Sequence, residues 1–412
     1  MTVEIDMPTP ARRFGRLGLL FLAHAAGTAS IALVLAKAPA VEESLGLSHA
    51  EFGMMVSAYF GANFACALPA GWMVDRYGIR AMLLTAHLLL AVGLAVFAQA
   101  QGLPTAIFGL ALCGSGYALI NPSTARGVLT WFPPQGRATA MGVKQTGVPA
   151  GGAIVALFAA AGGMEWHEMA IAIAAMTLLI GMSFLTLQSA RSSVSQMVPT
   201  RFGAIRTLLW QPQLVLFNGA ACLYSAGQAV FFAYLVLYAR DVLDGSAAQA
   251  SLCLAVAYVA SAGGRIGWGI VSDVLAPHGR TVSLTLCGAI GVVGLTILLL
   301  LPAFGGLALL TGVSALLGMT LGGYAGLTQT AAAEAVEPHR AGASIGYNML
   351  LTSAGNMLGP VTFGVGVEQL GYGPAWGMLA VTLALGAALF YASTRLQIKA
   401  SRPKSSESER TS

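Results

Sequence analysis

Gly71-Trp72-Met73-Val74-Asp75-Arg76-Tyr77-Gly78-Ile79-Arg80 closes one long apolar run, and Gly269-Ile270-Val271-Ser272-Asp273, continuing to Gly279-Arg280, closes another. Gly71 and Gly269 are 198 residues apart, and so are Asp75 and Asp273. A second echo pairs Arg137-Ala-Thr-Ala-Met-Gly142 with Arg340-Ala-Gly-Ala-Ser-Ile-Gly346, each opening an apolar run. Charged helix ends that recur at long range mark a chain built from two related parts in the same orientation.

Composition says what surrounds those parts. Of 412 residues, 56% are hydrophobic and 9% charged, and the mean hydropathy is +0.74. A soluble domain carries roughly 25% charged residues, so this exterior faces lipid. The 51 glycines suit helices in lipid, where small residues let backbones approach closely. The net charge of +5 reads as basic cytoplasmic loops rather than a nucleic-acid surface. Cys66, Cys113, Cys222, Cys253 and Cys287 all lie inside apolar runs without a CxxC pair, as buried small hydrophobes rather than disulfides or metal ligands. The first apolar run has no small-residue cleavage site and is expected to be a retained helix.

Twelve spans are expected, at 14–36, 51–74, 81–100, 105–130, 138–161, 167–189, 212–238, 249–272, 281–301, 306–332, 342–367 and 372–394, each near or above the roughly 20 residues that cross the hydrocarbon core. Ser48 with Glu51 three residues on is a capping box at the start of the second. With both termini cytoplasmic, 16 Lys and Arg fall on the inner side, 2 (Lys37 and Arg240) on the outer side and 3 within spans, the asymmetry that the positive-inside rule demands. The expected fold is therefore an all-α membrane protein of 12 transmembrane helices, in two six-helix halves related by a pseudo-two-fold axis normal to the membrane. The halves are 1–188 and 212–398, joined by a cytoplasmic loop at 189–211 and followed by a disordered cytoplasmic tail at 399–412. A monomer in a bacterial inner membrane is the expected setting.

The first stretch resembles the loop between helices 2 and 3 of the major facilitator superfamily, G-x-x-x-D-[RK]-x-G-x-[RK], matched at Gly71, Asp75, Arg76, Gly78 and Arg80. The resemblance implies a conformational latch for alternating access, with Asp273 and Arg280 as its second copy. On physical grounds Gly71 permits tight helix contact and Gly78 a sharp turn, while Asp75 can face a helix N-terminus or pair with an Arg across the interface between halves. A solvated loop that merely sets topology would carry the same residues.

Arg126, Lys144 and Arg265 lie within spans, and no Asp or Glu sits at mid-depth. Buried charge costs on the order of 2.5–3.5 kcal/mol on insertion scales, so the missing counter-charge is most simply an anionic substrate. Arg126 lies near the inner end of its span and can snorkel to the headgroups. Arg265 and Lys144 fall in opposite halves, as for a site at a repeat interface, and an Arg is the better fork for a carboxylate. Tyr117, Asn121, Tyr324, Asn348 and His24 are further candidate substrate-binding residues, each of which could instead serve helix packing. His24, with an ordinary pKa near 6.5, is the candidate to carry a coupling proton. An Arg in helix 8 is similar to the oxalate–formate and monocarboxylate transporter branch. Two positions depart from it: Asn348 stands where the oxalate exchangers have a Lys, and Ser261 where animal monocarboxylate carriers have an Asp. The Gly- and Pro-rich span five (Gly142, Gly147, Pro149, Gly151, Gly152) is explained by close packing and a kink.

No P-loop, H-E-x-x-H or G-x-S-x-G is present, so neither an enzyme nor a cofactor is expected. The expected function is secondary active transport of a small organic anion, a mono- or dicarboxylate, by alternating access with proton symport or anion exchange. The other readings are efflux of drug-like or amphipathic compounds, which predicts a mid-membrane acid for cations, and a non-transporting sensor or scaffold, which has no need of a latch.

Overall fold

The computed structural model describes residues 10–187, 210–275, 279–337 and 340–401. Nearly all of the expected loop 189–211 and most of the expected tail 399–412 lie outside the described residues. The chain is helical throughout: α1 (Pro10–Ala36), α2 (Ala38–Leu45), α3 (His49–Ala98), α4 (Leu103–Trp131), α5 (Arg137–Gln145), α6 (Gly147–Ala161), α7 (Trp166–Ser183), α8 (Pro212–Asp241), α9 (Ala247–Val274), α10 (Gly279–Phe304), α11 (Leu307–Leu321), α12 (Ala325–Glu334), α13 (Ala341–Leu370) and α14 (Tyr372–Ser401). Among the described residues, 11 segments are long and apolar enough to cross a membrane. Large apolar side chains such as Phe158, Leu179 and Val381 point outward, the inverse of a soluble surface and the reason the chain can do with so few charges.

Helix starts follow local chemistry. Ser48 caps α3 in a capping box with Glu51, and Ser246 caps α9 in a capping box with Gln249; the two boxes are again 198 residues apart. Proline stands in the first turn of α4 and α8, where its missing N–H costs nothing. α3 runs for 50 residues but turns at Gly78, whose φ of 84° and ψ of 167° are not helical. That positive φ is open to glycine and strained for any side chain.

Two expected spans are interrupted. The fifth breaks at Thr146, between α5 and α6, and the tenth breaks between α11 and α12. Pro149 explains the first, because its ring would clash with the carbonyl four residues back. The second contains Gly322 and Gly323, poor helix formers.

Residues 10–187 and 210–401 pack against each other chiefly through α3 on α13 and α6 on α9. One end of this seam, carrying α2 and the start of α3, is closed by polar contacts between the two parts. Arg240 donates to Glu42 at 3.1 Å, His49 lies 2.9 Å from Glu42 and 3.5 Å from Asp241, and the Ala50 amide donates to Glu368 at 2.7 Å. Tyr234 donates to the His49 carbonyl and Ser251 to the Ala36 carbonyl.

Candidate functional site

Lys144 is 1% exposed and His24 is 2% exposed, although both are polar, ionisable groups. Backbone contact sets their positions. A methyl group at Gly147 would meet the Phe21 carbonyl and the His24 side chain, so glycine lets α6 ride directly on α1. One turn earlier, Lys144 then reaches across to α1 and α4. Its Nζ donates to Asn121 Oδ1 at 3.1 Å and Thr124 Oγ1 at 3.2 Å, and lies 3.3 Å from His24 Nε2. His24 Nε2 is also 3.0 Å from Thr124 Oγ1, and His24 Nδ1 is buried without a hydrogen-bond partner among the described residues.

Arg265 comes from α9, on the other side of the seam. A methyl group at Gly264 would strike the Met319 carbonyl, so α9 and α11 touch backbone to backbone just before the arginine. Ser261 donates to the Gly322 carbonyl at 2.8 Å and Trp268 to the Met319 carbonyl at 3.0 Å. These contacts occupy one face of α9 with α11 and fix the neighbouring face that presents Arg265. The guanidinium is half-buried, and its Nε has no hydrogen-bond partner among the described residues. His24, Tyr117 and Tyr324 are within electrostatic reach of it. Tyr324 stands at the α11–α12 break and packs edge-on to Tyr224, with ring centroids 5.5 Å apart. Two surface grooves of about 530 and 500 Å³ lie elsewhere, one lined by Gln99 and His167 and the other by Arg12 and Thr186.

Six of the seven candidates therefore meet around one locus: Lys144, His24, Asn121, Tyr117, Arg265 and Tyr324. Asn348 does not join them. It is 1% exposed and donates to Asn218 at 3.0 Å, a polar clasp between α13 and α8. Thr124 is a partner the sequence reading missed; its position three residues after Asn121, on the same helix face, was the available signal.

The charged turn differs from expectation in its partner. Asp75 pairs with Arg126 of α4, not with an arginine across the seam, and Arg126 is thereby held in place rather than simply snorkelling. Gly71 has open space where a methyl group would stand, so close packing does not explain that glycine; Gly78 makes the turn. Arg76 stacks near Trp72 and Tyr77. In the second copy Arg280 pairs with Asp273 at 2.6 Å and with Glu334 at 3.3 Å. Asp75 thus ties the first turn to α4 and Arg280 ties the second to α12, with the signs of charge exchanged.

At the closed end, His49 is held above its ordinary pKa of 6.5, first by its hydrogen bond to Glu42 and then by the charges of Glu42 and Asp241; burial and Arg240 act against this.

A bundle of apolar helices, a charged turn at Gly78 and a seam with basic side chains on both sides can be compared with known proteins. The family model described as Major Facilitator Superfamily matches residues 19–360. The chain belongs to the major facilitator superfamily. It is thus a multi-pass membrane protein of a transporter family, not an enzyme. Among relatives in this superfamily, a D-galactonate transporter of Escherichia coli O6:H1 is 32% identical over 152 residues, 35% of this chain and 34% of that protein. A hexuronate transporter of Bacillus subtilis is 29% identical over 135 residues, 33% of this chain and 32% of that protein. The chain thus spans about a third of the length of each of these carriers. A bacterial homologue of the human lysosomal transporter Spinster, in an inward-facing and occupied conformation, superposes with a TM-score of 0.79 at 17% identity, covering 95% of this chain and 98% of that one. This last likeness is one of fold.

Proposed function

We propose that this superfamily member is a secondary active transporter of a small organic anion whose carboxylate is held by Arg265. The observation that carries the reading is the Arg265 Nε, buried without a hydrogen-bond partner among the described residues, on a seam where no described carboxylate acts on it. A buried N–H lacking a partner is costly, and the guanidinium fork that carries it fits a carboxylate through two parallel donors. Lys144 supplies the other end of the site. Its Nζ already faces the uncharged side chains of Asn121 and Thr124 and the His24 ring, so it suits the hydroxyl end of a substrate better than a second carboxylate. A hydroxylated monocarboxylate satisfies both ends, and galactonate and hexuronate, the cargo named for the two carriers above, are of that class.

Alternating access follows from two halves that rock about the site. The N-terminal part of α3, before Gly78, makes a twelfth span beside the 11, and the capping boxes repeated at 198 residues support two six-helix halves about a pseudo-two-fold axis. With both termini cytoplasmic, the Glu42–Arg240 end is the outer gate, drawn closed here, and the Asp75–Arg126 and Arg280–Glu334 pairs act as latches at the inner end. Coupling is by proton symport or anion exchange.

Uptake of labelled D-galactonate and D-glucuronate into proteoliposomes tests the proposal. Accumulation is expected with the wild type and loss of it with Arg265→Ala; undiminished uptake by that variant would overturn the role of Arg265.

A further inference from the structure

The contacts of Lys144 and His24 place two demands on one nitrogen. An ammonium has three N–H donors and no lone pair, so the third donor of Lys144 is satisfied only if His24 Nε2, 3.3 Å away, offers its lone pair. The same Nε2 lies 3.0 Å from Thr124 Oγ1. The Thr124 hydroxyl can donate to the Ile120 carbonyl at 2.8 Å or the Asn121 carbonyl at 3.1 Å, and with the hydroxyl so engaged its contact with His24 is a hydrogen bond only if Nε2 carries a hydrogen. With the Thr124 hydroxyl on a carbonyl, no single protonation state meets both demands. With neutral Lys144, the imidazole hydrogen on Nε2 serves Thr124 or the lone pair of the amine. With one proton more, either the amine is an ammonium donating to Nε2, or the imidazole is charged and donates to the amine. Proton transfer between Nζ and Nε2 therefore needs no movement of either helix.

Charge decides which state prevails. The charged groups that act on His24 are Lys144 from α5 and Arg265 from α9. From α4 it faces Thr124, with Asn121 and Tyr117 beside it, and α6 meets it through Gly147. No carboxylate among the described residues acts on it. An extra proton on the pair thus faces the Arg265 charge without compensation, on side chains only 1–2% exposed. A carboxylate docked on Arg265 removes that repulsion.

We infer that Lys144 and His24 together form the proton site of this transporter, taking up one proton when an anion docks on Arg265 and releasing it when the anion leaves. The inference rests on the reading of Arg265 as the anion anchor, and it makes the coupling proton symport rather than anion exchange. The balance is simple: neutral amine plus neutral imidazole gains one proton from solvent, the anion brings one negative charge, and the loaded site gains no net charge. The buried polar cluster is then used in both half-cycles, because an empty site that must return is deprotonated and less charged.

Isothermal titration calorimetry on the purified full chain tests this, with D-galactonate and D-glucuronate as probes at about pH 7.5 in phosphate and in Tris. The dependence of heat on buffer ionisation counts protons per bound anion. Uptake of about one proton per anion is expected, with affinity falling about tenfold per pH unit on the alkaline side. Lys144→Gln and His24→Gln are expected to bind more weakly and to take up fewer than about 0.3 protons per anion, while the proton count in the wild type needs no variant to fold. Binding by the wild type without proton uptake, or with a count unchanged in both variants, overturns the inference and leaves the anion site standing. Absence of binding of both probes by the wild type overturns the anion reading and the proton site with it.

Discussion

Glu42 and Arg240 meet at 3.1 Å across the seam, although they are 198 residues apart in the chain. That separation is also the one between the two signature aspartates and between the two capping serines. The pair ties α2 to the end of α8, so it is one of the contacts that close this end of the seam. The Glu42 side chain is 6% exposed and that of Arg240 is 35% exposed. Removing one partner leaves a charge poorly compensated and is expected to cost the closed state about 1–2 kcal/mol, a roughly 5–30-fold shift in population. Glu42→Gln or Arg240→Gln should lengthen spin-label distances across this end, and Glu42→Arg combined with Arg240→Glu should recover part of the closure. Unchanged distances in both single variants would show that apolar packing alone holds the gate.

His49 makes the same end sensitive to pH. Its pKa is raised above 6.5 by Glu42 and Asp241, and a raised basic group stabilises the state that holds it while it is protonated. The contribution is fully present below the ordinary pKa of about 6.5 and is lost as pH rises through the raised value. The closed end should therefore loosen on moving from acid to mildly alkaline pH. Spin-label distances recorded across that window should shift in the wild type and stay flat in His49→Gln; a shift that survives the substitution assigns the titration to another group.

Gly78 and Gly71 belong to one signature but answer to different physics. Gly78 has φ of 84°, so Gly78→Ala forces a side chain into a strained region at about 1–3 kcal/mol. A methyl group at Gly71 meets nothing within 4 Å, so Gly71→Ala should change stability by no more than about 0.5 kcal/mol. Melting temperatures in detergent should fall for the first and hold for the second. Any loss of transport in Gly71→Ala then belongs to a conformation other than this one.

Asp75 is half-exposed, and an exposed pair adds little to folding. Asp75→Asn should leave membrane insertion and melting temperature unchanged while cutting uptake at least about tenfold, as expected if the pair with Arg126 stabilises one state of the cycle by about 1.4 kcal/mol or more. Uptake that persists in this variant would reduce the turn to a topological marker.

Much of the fold was legible because lipid imposes it. Apolar runs long enough to span and a charged turn that closes one of them are one-dimensional patterns with a three-dimensional consequence. The expected capping box at Ser48 forms as read, since both partners lie within one turn. The kink expected of Pro149 in span five takes the form of the break at Thr146, whereas the break before Tyr324 was not anticipated, because that span remains apolar enough to cross.

The signature turn and its repeat, together with the basic, acid-poor membrane interior, were determined by the sequence itself. Those are statements about residue type and spacing. Partnership was decided only by tertiary structure. Asp75 finds Arg126 on α4, Asn348 turns to Asn218 instead of the site, and Lys144 surrounds itself with His24, Asn121 and Thr124. The physical reason is that glycine contacts at Gly147 and Gly264 bring helices together backbone to backbone, and those approaches fix which polar atoms fall within hydrogen-bond reach of one another. Spacing along one helix cannot encode a distance between two.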